Sequence, residues 1–248
     1  MSGAAGSSSP FAPVPAEFLG VWQRTLLEGS GRETDTSSAV FWLQTPHWHG
    51  DVRIPAHRPD FAGCHAIADC TPQQRRWLAT QKGFAGITEV NAVDAADGTT
   101  LYCQWHRQVD FQPQGAGRDF GRMVFSDGGR IVDEFGVDAD YRERWERLAQ
   151  SLGPSGAWHK ARAPGCFADL LLVAGGCFFY LRDRTQVLLP GGDLLAVAER
   201  VDSALLLDME LSFGRWDGMT RVGAITRSTL PWREGQTIAD RADWSALA

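Results

Sequence analysis

Gly20-Val21-Trp22-Gln23-Arg24 sets a glycine, a tryptophan and an arginine at alternate positions, and Gly156-Ala157-Trp158-His159-Lys160 repeats that order with a lysine last. Alternate side chains share one face of an extended strand. Trp22 therefore belongs with Arg24 and Leu26, while Val21, Gln23 and Thr25 take the other side. An indole in this position can plug one end of a barrel, and a cation two residues on can lie against an aromatic face. Any β-protein with ten tryptophans places a few after glycines. Two copies in the same local order, each followed by hairpin-like stretches, instead predict a duplicated barrel unit.

Outward from that stretch the pattern stays β. Val40-Phe41-Trp42-Leu43 is a run of β-formers, and Asp51-Val52-Arg53-Ile54 closes a hairpin with Asp51 and Arg53 on one face. Thr71-Pro72-Gln73-Gln74 has the chemistry of a capped helix start, and Gly83 is placed to end that helix. Asp97-Gly98 joins two strand-like segments over 84–92 and 99–111, and Asp127-Gly128-Gly129 joins two more. Tyr141, Trp145 and Leu148 have the spacing of a helical stripe, stopped by Gly153-Pro154. Beyond that stop, 167–174 and 177–182 form a hairpin about Gly175-Gly176. Val187-Leu188-Leu189 reads as a short strand, 193–201 fits helix or strand, 205–213 alternates as a strand, and 220–227 follows it. The tail after Leu230 is irregular and docks through Trp232 and Trp244. The expected organisation is a flexible tail over 1–15, a first half over 16–152 and a second half over 153–248.

The 248-residue chain is 44% apolar and 22% charged, the balance of a globular protein. Its net charge of -6 supplies no basic footprint for nucleic acid and no polybasic membrane patch. Five cysteines without a Cys-x-x-Cys pair predict reduced thiols and a cytoplasmic protein. Residues 1–15 lack the basic and apolar regions of a signal peptide, and Gly175-Gly176 interrupts the longest apolar run, so no membrane span is expected.

Five short motifs stand in order along the first half: Asp51-Val52-Arg53, Phe84-Ala85-Gly86-Ile87-Thr88, Trp105-His106-Arg107-Gln108-Val109-Asp110, Asp119-Phe120-Gly121 and Tyr141-Arg142-Glu143-Arg144-Trp145. In this order the chain resembles a fungal family of lipocalin-like proteins with two tandem barrel-type halves, reported to contact a casein-kinase-type partner. The resemblance covers most of the first half and touches the second loosely. It implies an all-β fold of two tandem lipocalin-like antiparallel β-barrel halves and allows a protein partner. It supplies no catalytic residues.

The residues themselves offer several chemistries. His106 shares a strand face with Gln104, Gln108 and Asp110. If that face lines a cavity, His106 and Asp110 form an acid/base couple and Arg53 can stabilise developing negative charge. If it is the outer face of the sheet, these are solvated polar residues. Trp42, Trp105 and Phe111 are candidate walls for a mostly apolar ligand, with Arg53 or His106 fixing its polar end. Arg122 is a cation in a short apolar strand, and Glu134 is its candidate partner. Asp208 and Glu210 share a face and would raise one another's pKa if buried together. His47, His49, His57 and His65, with Cys64 and Cys70, are rich in ligand types, but their spacing matches no standard zinc pattern. No phosphate-binding loop, nucleophile elbow or zinc-protease motif occurs, so no metal or cofactor is expected. Three functions remain open: a carrier of a small, mostly apolar ligand, a cofactor-independent enzyme using the same cavity, and an interaction scaffold. A homodimer is compatible with each.

Overall fold

The computed structural model describes residues 9–31, 33–95, 98–113, 115, 117–163, 166–186, 193–198, 203–239 and 241–247. The first unit comprises β1 (Gly20–Glu28), β2 (Ala39–Gln44), β3 (Trp48–Ile54), the short helix α1 (Pro72–Leu78), β4 (Lys82–Ala95), β5 (Gly98–Asp110), β6 (Phe120–Ser126), β7 (Ile131–Gly136) and β8 (Arg142–Arg147). Each strand pairs antiparallel with its neighbour in sequence, and β8 returns to β1 to close an eight-stranded barrel. Closure leaves this sheet without an unpaired edge. The second unit adds the helices α2 (Leu194–Val197) and α3 (Ser203–Leu207) and the strands β9 (Ser155–Ala163), β10 (Cys166–Ala174), β11 (Cys177–Arg182), β12 (Glu210–Asp217), β13 (Val222–Ser228), β14 (Thr237–Ala239) and β15 (Ser245–Ala246). Its strands form a seven-stranded antiparallel sheet in the order β14-β13-β12-β11-β10-β9-β15. The all-β reading with two tandem units is thus borne out, with closure in the first. Among the described residues, no helix is long and apolar enough to cross a membrane.

Alternation sorts the barrel's side chains into two cores. Inward residues, among them Phe18, Trp22, Trp42, Trp105 and Trp145, form one cluster. Outward residues of β2 to β4, including Leu43, Trp48, Val52 and Ile54, merge with Leu170, Phe179, Leu211 and Phe213 of the second sheet. Two glycines make that contact close. A Cβ on Gly50 would lie 2.3 Å from Phe179 Cδ1, and one on Gly83 2.5 Å from Leu211 Cδ1. Phe41 stacks on Phe213 at 4.2 Å. The other face of the second sheet gathers Trp158, Phe178, Tyr180, Trp216 and Trp244 around its own interior.

Trp22 does plug one end of the barrel. It is fully buried, its Nε1 donates to the Phe18 carbonyl at 2.8 Å, and Phe125 meets it edge-on at 5.8 Å. The cation on its face comes from the neighbouring strand, however. Arg147 of β8 pairs opposite Trp22 and sits 4.9 Å over it, and Arg221, from the turn before β13, sits 5.4 Å over Trp158. Leu26 also leaves the expected face, because the β1–β8 register shifts between Arg24 and Leu26 and sets Leu27 opposite Glu143.

Other local readings divide. Thr71 caps α1, accepting from the Gln74 amide while the Gln74 side chain accepts from Thr71 N–H. The helix ends at Ala79, and Gly83 lies inside β4 instead. The helix expected over 141–148 is the closing strand β8. Residues 205–213 are split between α3 and β12. Val14, expected in a flexible tail, is buried and donates to the Pro46 carbonyl at 2.8 Å. Residues 187–189, Asp97 of the Asp97-Gly98 turn and the 199–201 end of the 193–201 segment lie outside the described residues.

Candidate functional site

The ends of β3, β5 and β7 and the starts of β4, β6 and β8 meet at the barrel end opposite Trp22. There they surround a cavity of about 190 Å³ lined by Trp42, Asp51, Arg53, Phe84, Trp105, Arg107, Asp119, Glu134, Ala139, Tyr141, Glu143 and Trp145. That volume equals roughly six waters. It lies below the range of drug-sized pockets and suits a compact ligand.

The cavity's floor is aromatic. Trp42 meets Trp105 edge-on at 5.6 Å and Trp145 at 5.9 Å. Its wall is ionic. Glu143 Oε1 accepts from Arg24 Nη1 at 2.6 Å and from Arg53 Nη1 at 3.0 Å. Arg24 continues to Asp35 at 2.6 Å, and Arg53 Nε reaches Asp51 at 2.8 Å. On the far side Arg107 bonds Asp119 at 2.6 Å and Asp110 at 2.9 Å, lying 3.7 Å over the Phe84 ring. Burial pushes the Asp51 carboxyl up from its ordinary value. Burial also works against the Arg53 charge, yet Asp51 and Glu143 hold it firmly protonated.

Glu134 stands apart. It is buried, and its oxygens accept from the Tyr141 hydroxyl at 2.7 Å and the Trp145 indole at 3.1 Å. It lies against Gly121, where a Cβ would come within 2.9 Å of Glu134 Cγ. Burial, then repulsion from Glu143 and Asp119, pushes its carboxyl up to about 8. A carboxyl raised in the folded state adds stability that is complete below its ordinary value near 4.5 and is lost as pH climbs through about 8. Glu134→Gln removes that titration. Between those limits the wild type should lose on the order of 4 kcal/mol relative to the variant. Urea denaturation at several pH values reads the difference, and parallel curves for the two proteins would contradict it.

The candidate residues separate. Trp42, Trp105, Arg53 and Glu134 come together in this cavity. His106 and Asp110 do not form a couple. The β4–β5 register steps from Ala85↔Val109 to Gly86↔Arg107, so Gln108 is an extra residue that turns Asp110 toward the Phe84 face. His106 stays outside, 2.9 Å from Glu89 Oε2 and stacked on Phe11 at 4.7 Å. Both border an open depression beside the cavity, with different partners. Phe111 is buried in the core between the units, under Arg184. Arg122 neighbours the inward Met123 on β6 and lies 4.4 Å over Phe135, away from the cavity and from Glu134. Asp208 and Glu210 are not buried together as a dyad: Asp208 is half-exposed and pairs with Arg182 at 2.7 Å, while the buried Glu210 pairs with Arg233 at 3.0 Å and meets Arg182 at 3.9 Å. Of the histidine group, His49 turns into the barrel, its Nδ1 3.0 Å from Thr88 Oγ1.

Residues not named as site candidates from sequence complete the site: Arg24, Phe84, Arg107, Asp119, Tyr141, Glu143 and Trp145. A signal for most of them was present. The five ordered motifs of the first half each contribute to this one cavity, through Asp51 and Arg53, Phe84, Trp105 and Arg107, Asp119, and Tyr141, Glu143 and Trp145.

No protein-family model matches the chain, and no curated protein matches it. Among solved structures, the chain is similar to that of an uncharacterized protein of Saccharomyces cerevisiae, YLR301w, with a TM-score of 0.51 and 13% sequence identity over 84% of each chain. At that identity, what the two share is the fold.

Proposed function

We propose that the first barrel is a receptor for a small ligand, held at its open end with an apolar body on the indole floor and a polar end among the ionic groups of the wall. The observation that carries this reading is the cavity itself: one end of a closed barrel is plugged by Trp22, Phe18 and Phe125, while the other retains space bounded by aromatic rings and preorganised charges. An interaction scaffold would more naturally fill its interior. The enzymatic reading through His106 and Asp110 is weakened by their separate partners. A reducing, cytoplasmic setting accords with the free thiols of Cys64, Cys70, Cys103 and Cys177.

Ala139 is exposed on the β7–β8 loop and borders the cavity, so Ala139→Trp should close the mouth without disturbing the core. Native mass spectrometry of freshly purified protein, followed by thermal-shift titration with the molecule retained, is expected to give one ligand per wild-type chain and none for Ala139→Trp. Equal binding by the two proteins would place the ligand elsewhere and end this reading.

A further inference from the structure

The cavity's acidic groups are unequally partnered. Its lining holds four carboxyl groups, Asp51, Asp119, Glu134 and Glu143, with the guanidiniums Arg53 and Arg107, and Arg24 reaches Glu143 from behind. Both lining guanidiniums are already engaged, each by two carboxylates. An anionic ligand would have to break those pairs and then lie beside the remaining carboxylates. A neutral one would gain nothing from the acidity of Glu134. Glu134 differs from its neighbours because its hydrogen bonds come from the neutral donors Tyr141 and Trp145. The walls already accept positive charge on their π-faces, as Arg107 does over Phe84 at 3.7 Å and Arg53 over Trp145 at 5.8 Å.

Building on the receptor reading, we infer that the cavity takes a small organic cation, an ammonium group on a compact apolar body, seated against the Trp42, Trp105 and Trp145 rings with its charge toward Glu134. Desolvated ammonium over indole is a favourable pairing, and a carboxylate behind the ring adds direct attraction. The volume admits a headgroup of a few carbons and excludes a long acyl chain. Because Glu134 is held protonated near neutral pH by burial and by Glu143 and Asp119, with Arg53 opposing and Tyr141 bonding it, arrival of a cation should release its proton. Cys103, from β5, is the other titratable group facing Glu134, and burial keeps its thiol neutral.

Calorimetric titration with choline, its uncharged carbon analogue dimethylbutanol and the corresponding dimethylbutanoate separates charge from shape. Choline should bind the wild type about tenfold or more tightly than dimethylbutanol, with dimethylbutanoate weakest. Choline affinity should rise with pH between about 6 and 8 and show proton release in buffers of differing ionisation heat, a measurement that needs no variant. Glu134→Gln, whose amide can accept from Trp145 and donate to the Tyr141 oxygen, should lose the pH dependence. Equal or tighter binding of dimethylbutanol or dimethylbutanoate overturns the cation assignment and leaves a receptor in place. Failure of all three probes also overturns it, and the Ala139→Trp comparison then decides the receptor reading separately.

Discussion

Glu143→Gln is expected to destabilise the protein by about 3–5 kcal/mol, although it keeps the number of heavy atoms and nearly the same volume. Glu143 Oε1 receives both Arg24 and Arg53 inside the barrel, with its own side chain only 3% exposed. An amide in its place leaves two guanidiniums close together in a poorly hydrated space, with Asp35 and Asp51 as their remaining anions. Three residues along the same strand, Glu146 sits 3.8 Å from Arg130 with both side chains largely in water, and Glu146→Gln should cost less than about 0.5 kcal/mol. Urea denaturation of the two variants side by side makes the comparison. Similar small losses would mean that the interior charges are hydrated and that the ionic wall is not a preorganised one.

Phe179→Ala should cost a comparable 3–5 kcal/mol, through packing. The ring is buried against Gly50 at the contact between the layers, where a side chain on β3 could not fit. Removing it opens a void bounded by two sheets, neither of which can collapse without moving its strands. Thermal unfolding should show a clear fall in Tm. A loss of under 1 kcal/mol would indicate that the sheets approach each other less closely than Gly50 suggests.

Much of the fold is legible in the sequence because hairpin turns and alternation are local signals. The turn at Asp127-Gly128-Gly129, the Thr71 cap and the Gly175-Gly176 hairpin follow directly from them. Two of the misreadings share one physical origin: period-two alternation survives only while the register does. One shift in β1, between Arg24 and Leu26, and one extra residue in β5, Gln108, each move the following side chains to the opposite face. Strand β8 was hidden for a different reason. Its inward Glu143 is charged, and its outward Arg142 and Arg144 are charged too, both reaching Asp133 of β7, so the strand offers no apolar face until Trp145. Buried ion pairs erase the contrast on which pattern reading depends. The same erasure concealed the site, where Arg24, Arg107, Asp119 and Glu143 look like surface residues until their partners arrive from distant strands.

The contact between barrel and sheet also bears on how the protein is made. Synthesis completes β1 to β8 before any strand of the second sheet exists, so the flank formed by Leu43, Trp48, Val52 and Ile54 must wait uncovered until β10 to β12 emerge. A nascent chain in that interval carries an adhesive side that finished molecules lack, and crowded ribosomes give it neighbours with the same side. Slow translation beyond residue 152 would therefore favour clumping of half-made chains, whereas a mature copy has already spent that surface on itself.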